Sequence, residues 1–165
     1  VLRSLDRQLE IAQATLQASW RLKLFGIEPK VALLSHSNFG SHGDASATKM
    51  RRARELIVQK VPKLEIDGEM MADTAWDDAL RRRGFPNTTL SGRANLFVLP
   101  NLDAANIVYN MVRVVTDGVA IGPILMWLDQ AAHILTPAAT VRRVVNMTAV
   151  AAVDAQIRKG MKAER

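Results

Sequence analysis

The residues best suited to chemistry in this chain fall into a few short stretches. Ser35, His36, Ser37 and Asn38 follow directly on the apolar run VALLS (31–35). Four polar residues in a row at the end of a strand could bind phosphate through hydroxyls and backbone N–H groups. The plainer reading is a polar turn that caps the next helix, and no GxxxxGK[ST] phosphate loop is present. His36 and His42 share this stretch while His133 is remote, and no metal-ligand spacing links the three, so no metal site is assigned. Glu65, Asp67 and Glu69 alternate along a second run and could form a carboxylate cluster, although solvated strand-end acids are the simpler expectation. Ser35, Ser37 and Thr136 carry hydroxyls, but no neighbouring base can be read for any of them.

The elements that must position these residues follow from apolar periodicity. Leu2, Leu5, Leu9, Ala12, Leu16 and Trp20 recur every three or four residues, a helix with one apolar stripe that stops near Gly26 and Pro29. VALLS has no polar alternation, as in a strand covered on both faces. Asp44 or Ser46 can cap a helix through Met50, Ala53, Ile57 and Val61. LEIDGEM (64–70) is a second strand, a helix follows at Thr74–Arg83, and ANLFVLP (94–100) is the clearest strand. Asp103 opens a helix through Val108, Met111 and Val115. GVAIGPIL (118–125) is a fourth apolar run ended by Gly122 and Pro123, HILT (133–136) a weak fifth, and a last helix runs from Thr140 to Lys162. Strands alternating with helices predict parallel βαβ units and an α/β fold, a three-layer α/β/α sandwich with a mainly parallel sheet. Ligands bind such sheets outside the carboxyl ends of the strands. The loops expected there are Ser35–Ser46, Pro100–Asn106 and Gly122–Thr136.

Composition bounds the class. With 165 residues and 48 % apolar content, the chain can bury a core. It has no cysteine, so disulfides are excluded and a reducing interior is permitted. No run approaches the ~20 apolar residues that span a bilayer. The opening VLRSLDRQLE carries acids and no apolar core, unlike an export signal. It begins with Val1 rather than Met, as a piece of a longer protein would. The net charge of +6 raises the question of nucleic acid, but aromatics are only 5 % and no stacking platform or binding motif is present. KMRRARELIVQK (49–60) and ALRRRGF (79–85) read as solvated helix faces, with capture of a small anionic ligand as the alternative.

The order of motifs carries the reading further. ANLFVLPNLDAANIVYNMVR followed by GVAIGPILMWL resembles the C-terminal half of the phosphate acetyltransferase family, where a strand leads into Pro-Asp-Leu-Asn-Ala-Gly-Asn and later Ala-Ile-Gly-Pro-Ile-Leu-Gln-Gly. The likeness includes Pro100, Leu102, Ala104, Asn106, Tyr109, Ile121, Gly122, Pro123 and Leu125. Asp67, Gly68 and Asp73 match the family's Asp-Gly-Pro-Leu-Gln-Xaa-Asp segment, and Ser35 and Ser37 its Leu-Ser-Xaa-Ser turn. FGIEPKVALLSHSNFGS, EIDGEM and HILTPAATVRRVVNM are similar to the acetyltransferase-like C-terminal domain of bacterial hybrid NADP-dependent malic enzymes. That resemblance implies that residues 1–165 are the C-terminal part of a larger module, fused to an N-terminal malic enzyme domain that decarboxylates malate oxidatively.

Catalytic acetyltransferases of this family carry Lys-Pro-Val-Asn-Asp-Leu-Ser-Arg-Gly and then a pair of acids. In register this chain has Gln130, Ala131, Ala132, His133, Ile134, Leu135, Thr136, Pro137 and Ala138, with Arg142 and Arg143 in place of the acids. Proline offers neither charge nor N–H, and a guanidinium accepts no proton at neutral pH. Each loss is expected to cost on the order of 10² in rate. The resemblance therefore implies no catalytic residue, with Thr136, Pro137 and Arg143 as degenerate positions. It implies an acetyl-CoA or coenzyme A site drawn from Ser35, Ser37, Asn106 and Tyr109. Gly122, Pro123, Gln130, His133, Thr136, Arg142 and Arg143 complete it. The chain would hold no cofactor of its own, acetyl-CoA acting as effector, while NADP and a divalent Mg or Mn ion belong to the parent enzyme. A cytoplasmic homo-oligomer without nucleic-acid or membrane partners is expected. Two alternatives stand beside this sensor: a working acyltransferase using Thr136 and His133, and an oligomerisation module built on IVYNMVRVV and WRLKLF.

Overall fold

The computed structural model of the chain describes residues 2–126, 128 and 130–163. The backbone divides into two compact units, one ending at Ile107 and one beginning at Val108.

The first unit contains α1 (Leu2–Leu24), β1 (Lys30–Leu34), α2 (Ala45–Lys60), β2 (Glu65–Met70), α3 (Ala72–Trp76), α4 (Asp78–Gly84) and β3 (Leu96–Val98). It also contains the start of α5 (Leu102–Val115). The strands form a parallel sheet in the order β2-β1-β3. Val31, Leu33, Ile66, Leu96 and Val98 pack with Ala12 of α1 and with Met50, Ala53 and Ile57 of α2. On the opposite face Ala32, Leu34, Met70 and Phe97 pack with Ala75 and Leu90. Helix, sheet and helix therefore form three layers, as the unbroken apolar runs of β1 predict.

One irregularity sets the geometry of everything beyond it. Leu33 lies opposite Gly68 but Leu34 lies opposite Met70, so Glu69 is an extra residue in β2. The bulge reverses the alternation, moving Met70 off the face that Ile66 occupies and re-aiming Glu69. Gly68 is required at this place: its φ is +124°, and a Cβ there would stand 2.6 Å from the Leu33 carbonyl oxygen.

Several expectations are corrected here. The buried stripe of α1 is Gln8, Ala12, Thr15 and Ser19, while Leu9 and Trp20 are exposed; the side chains of Leu2 and Leu5 lie outside the described residues. Small residues on that stripe let α1 approach α2, and Thr15 and Ser19 satisfy their hydroxyls by donating to the carbonyls of Ile11 and Thr15. The helix expected over Thr74–Arg83 is two helices, because Asp77 is extended and caps α4 through the Leu80 N–H. Val61 ends α2 rather than filling its core. The basic clusters are not merely solvated. Arg81 is fully buried and donates to the carbonyls of Thr74, Ala75 and Gly92 and to Asp78 and Thr88. Asp67 and Glu69 are buried as well, not solvated strand-end acids; Asp67 accepts from Thr88 and Thr89 and pairs with Arg54.

The second unit contains the rest of α5 and α6 (Val141–Ala163). Neither GVAIGPIL nor HILT forms a strand. Gly122 has φ +147° and Pro123 lacks a donor, so no ladder can run through the first segment. Among the described residues no helix is long and apolar enough to cross a membrane.

Candidate functional site

The polar loop after β1 folds around a single buried carboxylate. Glu69 accepts from the Ser37 hydroxyl at 2.9 Å, the Gly40 N–H at 2.7 Å, and Arg51 Nε at 3.0 Å. Burial pushes the Glu69 pKa up, but the Arg51 guanidinium and the Gly40 and Ser37 donors outweigh it and hold the carboxyl below its ordinary range. Ser37 is fully buried, and its oxygen also receives the His42 N–H and lies 3.1 Å from the Ser41 hydroxyl. Its one donor and both acceptor positions are thus engaged inside the loop. Ser35 accepts the Ser37 N–H, and the Asn38 side-chain oxygen accepts the Met71 N–H. Asp44 caps α2 through Ser46 and Ala47 and pairs with His36 at 2.8 Å; the Ala47 N–H is the chief reason its pKa is lowered. His36 and His42 are exposed with ring centroids 5.3 Å apart. No cluster of three or more His, Asp or Glu among the described residues could hold a metal ion.

The second unit places its polar residues differently. A cavity of about 410 Å³ is lined by Tyr109 and Arg113 of α5, by Asp117–Ala120, and by Ala138, Thr140, Arg142 and Arg143 at the start of α6. Tyr109 and Arg113 are one helical turn apart, and the Arg113 guanidinium stands 6.0 Å from the Tyr109 ring centroid. Thr140 caps α6 by accepting the Arg143 N–H at 3.3 Å. Arg143 donates Nη2 to the Gly122 carbonyl at 2.6 Å, and its buried Nε has no hydrogen-bond partner among the described residues. Three guanidiniums and one carboxylate therefore share the cavity. Positive charge in the first turn of α6 opposes the helix dipole, which an anion in the cavity would relieve.

The expected site residues thus divide. Tyr109, Arg142 and Arg143 meet at this cavity, and Gly122 reaches it through its hydrogen bond to Arg143. Gly122 and Pro123 are joined by a cis peptide bond. Gln130, Thr136 and Pro137 are exposed and do not line the cavity, Thr136 closing a turn by accepting the Ala139 N–H. His133 Nδ1 accepts the Leu125 N–H at 3.3 Å, an arrangement that assigns the ring proton to Nε2, which is buried without a partner among the described residues. Ser35, Ser37 and Asn106 lie in the first unit, Asn106 on the exposed side of α5. Arg113 and Asp117 were not legible as site residues. The four-residue spacing from Tyr109 signals Arg113, and the Asp-Gly turn after α5 signals Asp117.

Comparison with known proteins agrees with this architecture. Residues 7–152 match the family described as phosphate acetyl/butaryl transferase. The chain is 51 % identical over 148 residues to the NADP-dependent malic enzyme of Escherichia coli (strain K12), covering 89 % of the chain and 20 % of that protein. It is 52 % identical over 145 residues to the NAD-dependent malic enzyme of Rhizobium meliloti (strain 1021), covering 88 % of the chain and 19 % of that protein. The solved structure of EutD phosphotransacetylase from Staphylococcus aureus superposes with a TM-score of 0.83 at 33 % identity, covering 90 % of this chain and 46 % of that one. The chain spans about a fifth of the length of the malic enzymes it matches.

Proposed function

The chain belongs to the phosphate acetyl/butaryl transferase family, and from that membership we propose that it is a regulatory module of a malic enzyme that binds acetyl-CoA or coenzyme A without turning it over. The observation that carries this reading is the meeting of Arg113, Arg142 and Arg143 around one cavity. Guanidiniums bind phosphoryl oxygens bidentately and serve poorly as bases, so the cavity suits holding a polyphosphate more than activating a thiol. The parent's oxidative decarboxylation of malate, with its NADP and divalent metal, would reside in the remainder of a longer cytoplasmic protein. Effector binding would alter that distant site through the balance of two quaternary states. Apolar residues left exposed on α5, among them Met111, Val114 and Val115, support a role in assembly with further polypeptide or a second copy.

A working transferase is the second reading, and Asp117 favours it, since it places one carboxylate at the cavity that could receive a thiol proton. Calorimetric titration of the chain with acetyl-CoA, with and without phosphate, separates the two when the same mixtures are assayed for acetyl phosphate. Saturable binding without acetyl phosphate is the expected result. Turnover that is lost in Asp117→Asn would establish the second reading, and absence of binding would overturn both.

A further inference from the structure

A second cavity, of about 580 Å³, lies wholly within the first unit and shares no residue with the one in the second. It is lined by Arg7 and Gln8 of α1, by Ser46, Thr48, Lys49 and Arg52 in the first two turns of α2, and by Asn101 after β3. None of its lining residues is acidic, and Arg7 and Arg52 have no ion-pair partner among the described residues. Asp44, which directly precedes α2, is held at the cap of that helix and by His36.

Two further observations point to a ligand. Gln8 is only 5 % exposed and borders the cavity, so its amide adds a neutral donor and acceptor to a wall otherwise dominated by cations. Lys49 is fixed at the rim by donating to the Pro100 carbonyl. Burial first, and the charge on Arg7 second, lower its pKa, so an anion here would relieve a repulsion already present.

We propose that this cavity is a binding site for a small phosphate-bearing molecule, with Arg7, Lys49 and Arg52 taking the phosphoryl oxygens and Gln8 and Asn101 donating from the side. The free N–H groups at the start of α2 are already taken by Asp44, so recognition rests on these side chains rather than on the helix end. The cavity is larger than one phosphate needs, which favours a phosphate ester or pyrophosphate over the bare ion.

The test is calorimetric titration of the 165-residue chain with pyrophosphate, and separately with inorganic phosphate, at low salt. Pyrophosphate is expected to bind saturably and more tightly than phosphate. Affinity should fall at least tenfold in Arg7→Gln/Arg52→Gln and severalfold in Gln8→Leu, which leaves every charge in place. Lys63→Gln, an exposed cation outside the cavity, should bind like the parent chain. Circular-dichroism melts confirm folding, and the exposed positions of Arg7 and Arg52 make that pair safe if Gln8→Leu unfolds. The proposal fails if pyrophosphate does not bind, if Arg7→Gln/Arg52→Gln binds unchanged, or if only Arg142→Gln/Arg143→Gln abolishes binding.

Discussion

The Ser35–Asp44 loop and the cavity lined by Arg113, Asp117, Arg142 and Arg143 both gather polar side chains, and they differ in how those groups are satisfied. In the first, Ser37, Asn38, Gly40 and Arg51 converge on Glu69 and the end of β2, and the loop is closed on itself. In the second, Arg113 and Arg142 border open space, and Arg143 uses one nitrogen on Gly122 while leaving Nε without a partner among the described residues. Polar composition alone does not distinguish a structural knot from a binding site. Hydrogen-bond satisfaction does, because an unmet buried donor costs roughly 1–3 kcal/mol and persists where something else meets it.

The largest effect expected from this contrast is at glycine. Gly68→Ala puts a Cβ against the Leu33 backbone oxygen at 2.6 Å and should destabilise the chain by about 3 kcal/mol or more in urea unfolding. Gly122→Ala meets only ordinary contact, so its cost should be the about 1 kcal/mol of an unfavourable backbone angle. Equal losses at the two positions would erase the distinction between the regions.

Arg81→Met should follow, at about 3 kcal/mol, since the buried carbonyls of Thr74 and Ala75 and the part-buried one of Gly92 lose their donor at once. Arg51→Gln should cost about 2 kcal/mol, less than a fully buried pair, because the Arg51 side chain is 35 % exposed. The same pair predicts a pH dependence. The folded Glu69 pKa lies below its ordinary value of 4.5, so its contribution is complete above that pH and is lost as pH falls through the lower folded value. Urea midpoints of the parent chain should therefore decline below about pH 4.5, and Glu69→Gln should flatten that decline while lowering stability at neutral pH. An unchanged acid profile in Glu69→Gln would mean that the loop does not depend on this carboxylate.

The smallest change in stability is expected at the cavity of the second unit, where the effect falls on binding instead. Arg142→Gln should leave the urea midpoint nearly unchanged and weaken acetyl-CoA about tenfold, the equivalent of one charge-assisted contact. If Ser35→Ala weakens the ligand and Arg142→Gln does not, the assignments of the two stretches reverse.

Much of the first unit was legible because its signals are local. VALLS reads as a strand covered on both faces, Asp44 as a helix cap, and Gly26 with Pro29 as a stop, each from neighbours within a few residues. The order of motifs was enough to give the family. Tyr109, Arg142 and Arg143 were legible as a group only through that resemblance, since they lie on two helices far apart in sequence. The α1 stripe held at Ala12 and Leu16 but misled at Leu9 and Trp20, because periodicity reports hydrophobicity, whereas packing also selected the small polar residues Thr15 and Ser19. GVAIGPIL misled because an apolar run becomes a strand only beside a partner strand, and β-ladders are not local.

The sequence by itself determined the places of β1, α2 and β2, that β1 is covered on both faces, and the order of motifs that gives the family. Only the tertiary structure decided that Glu69 and Arg81 are internal ties, that Ser37 is engaged, and that Arg113 and Asp117 join the cavity. The physical reason is range. Capping and periodicity act over a few residues, whereas the meaning of a charge is set by whatever the fold brings within a few ångströms of it.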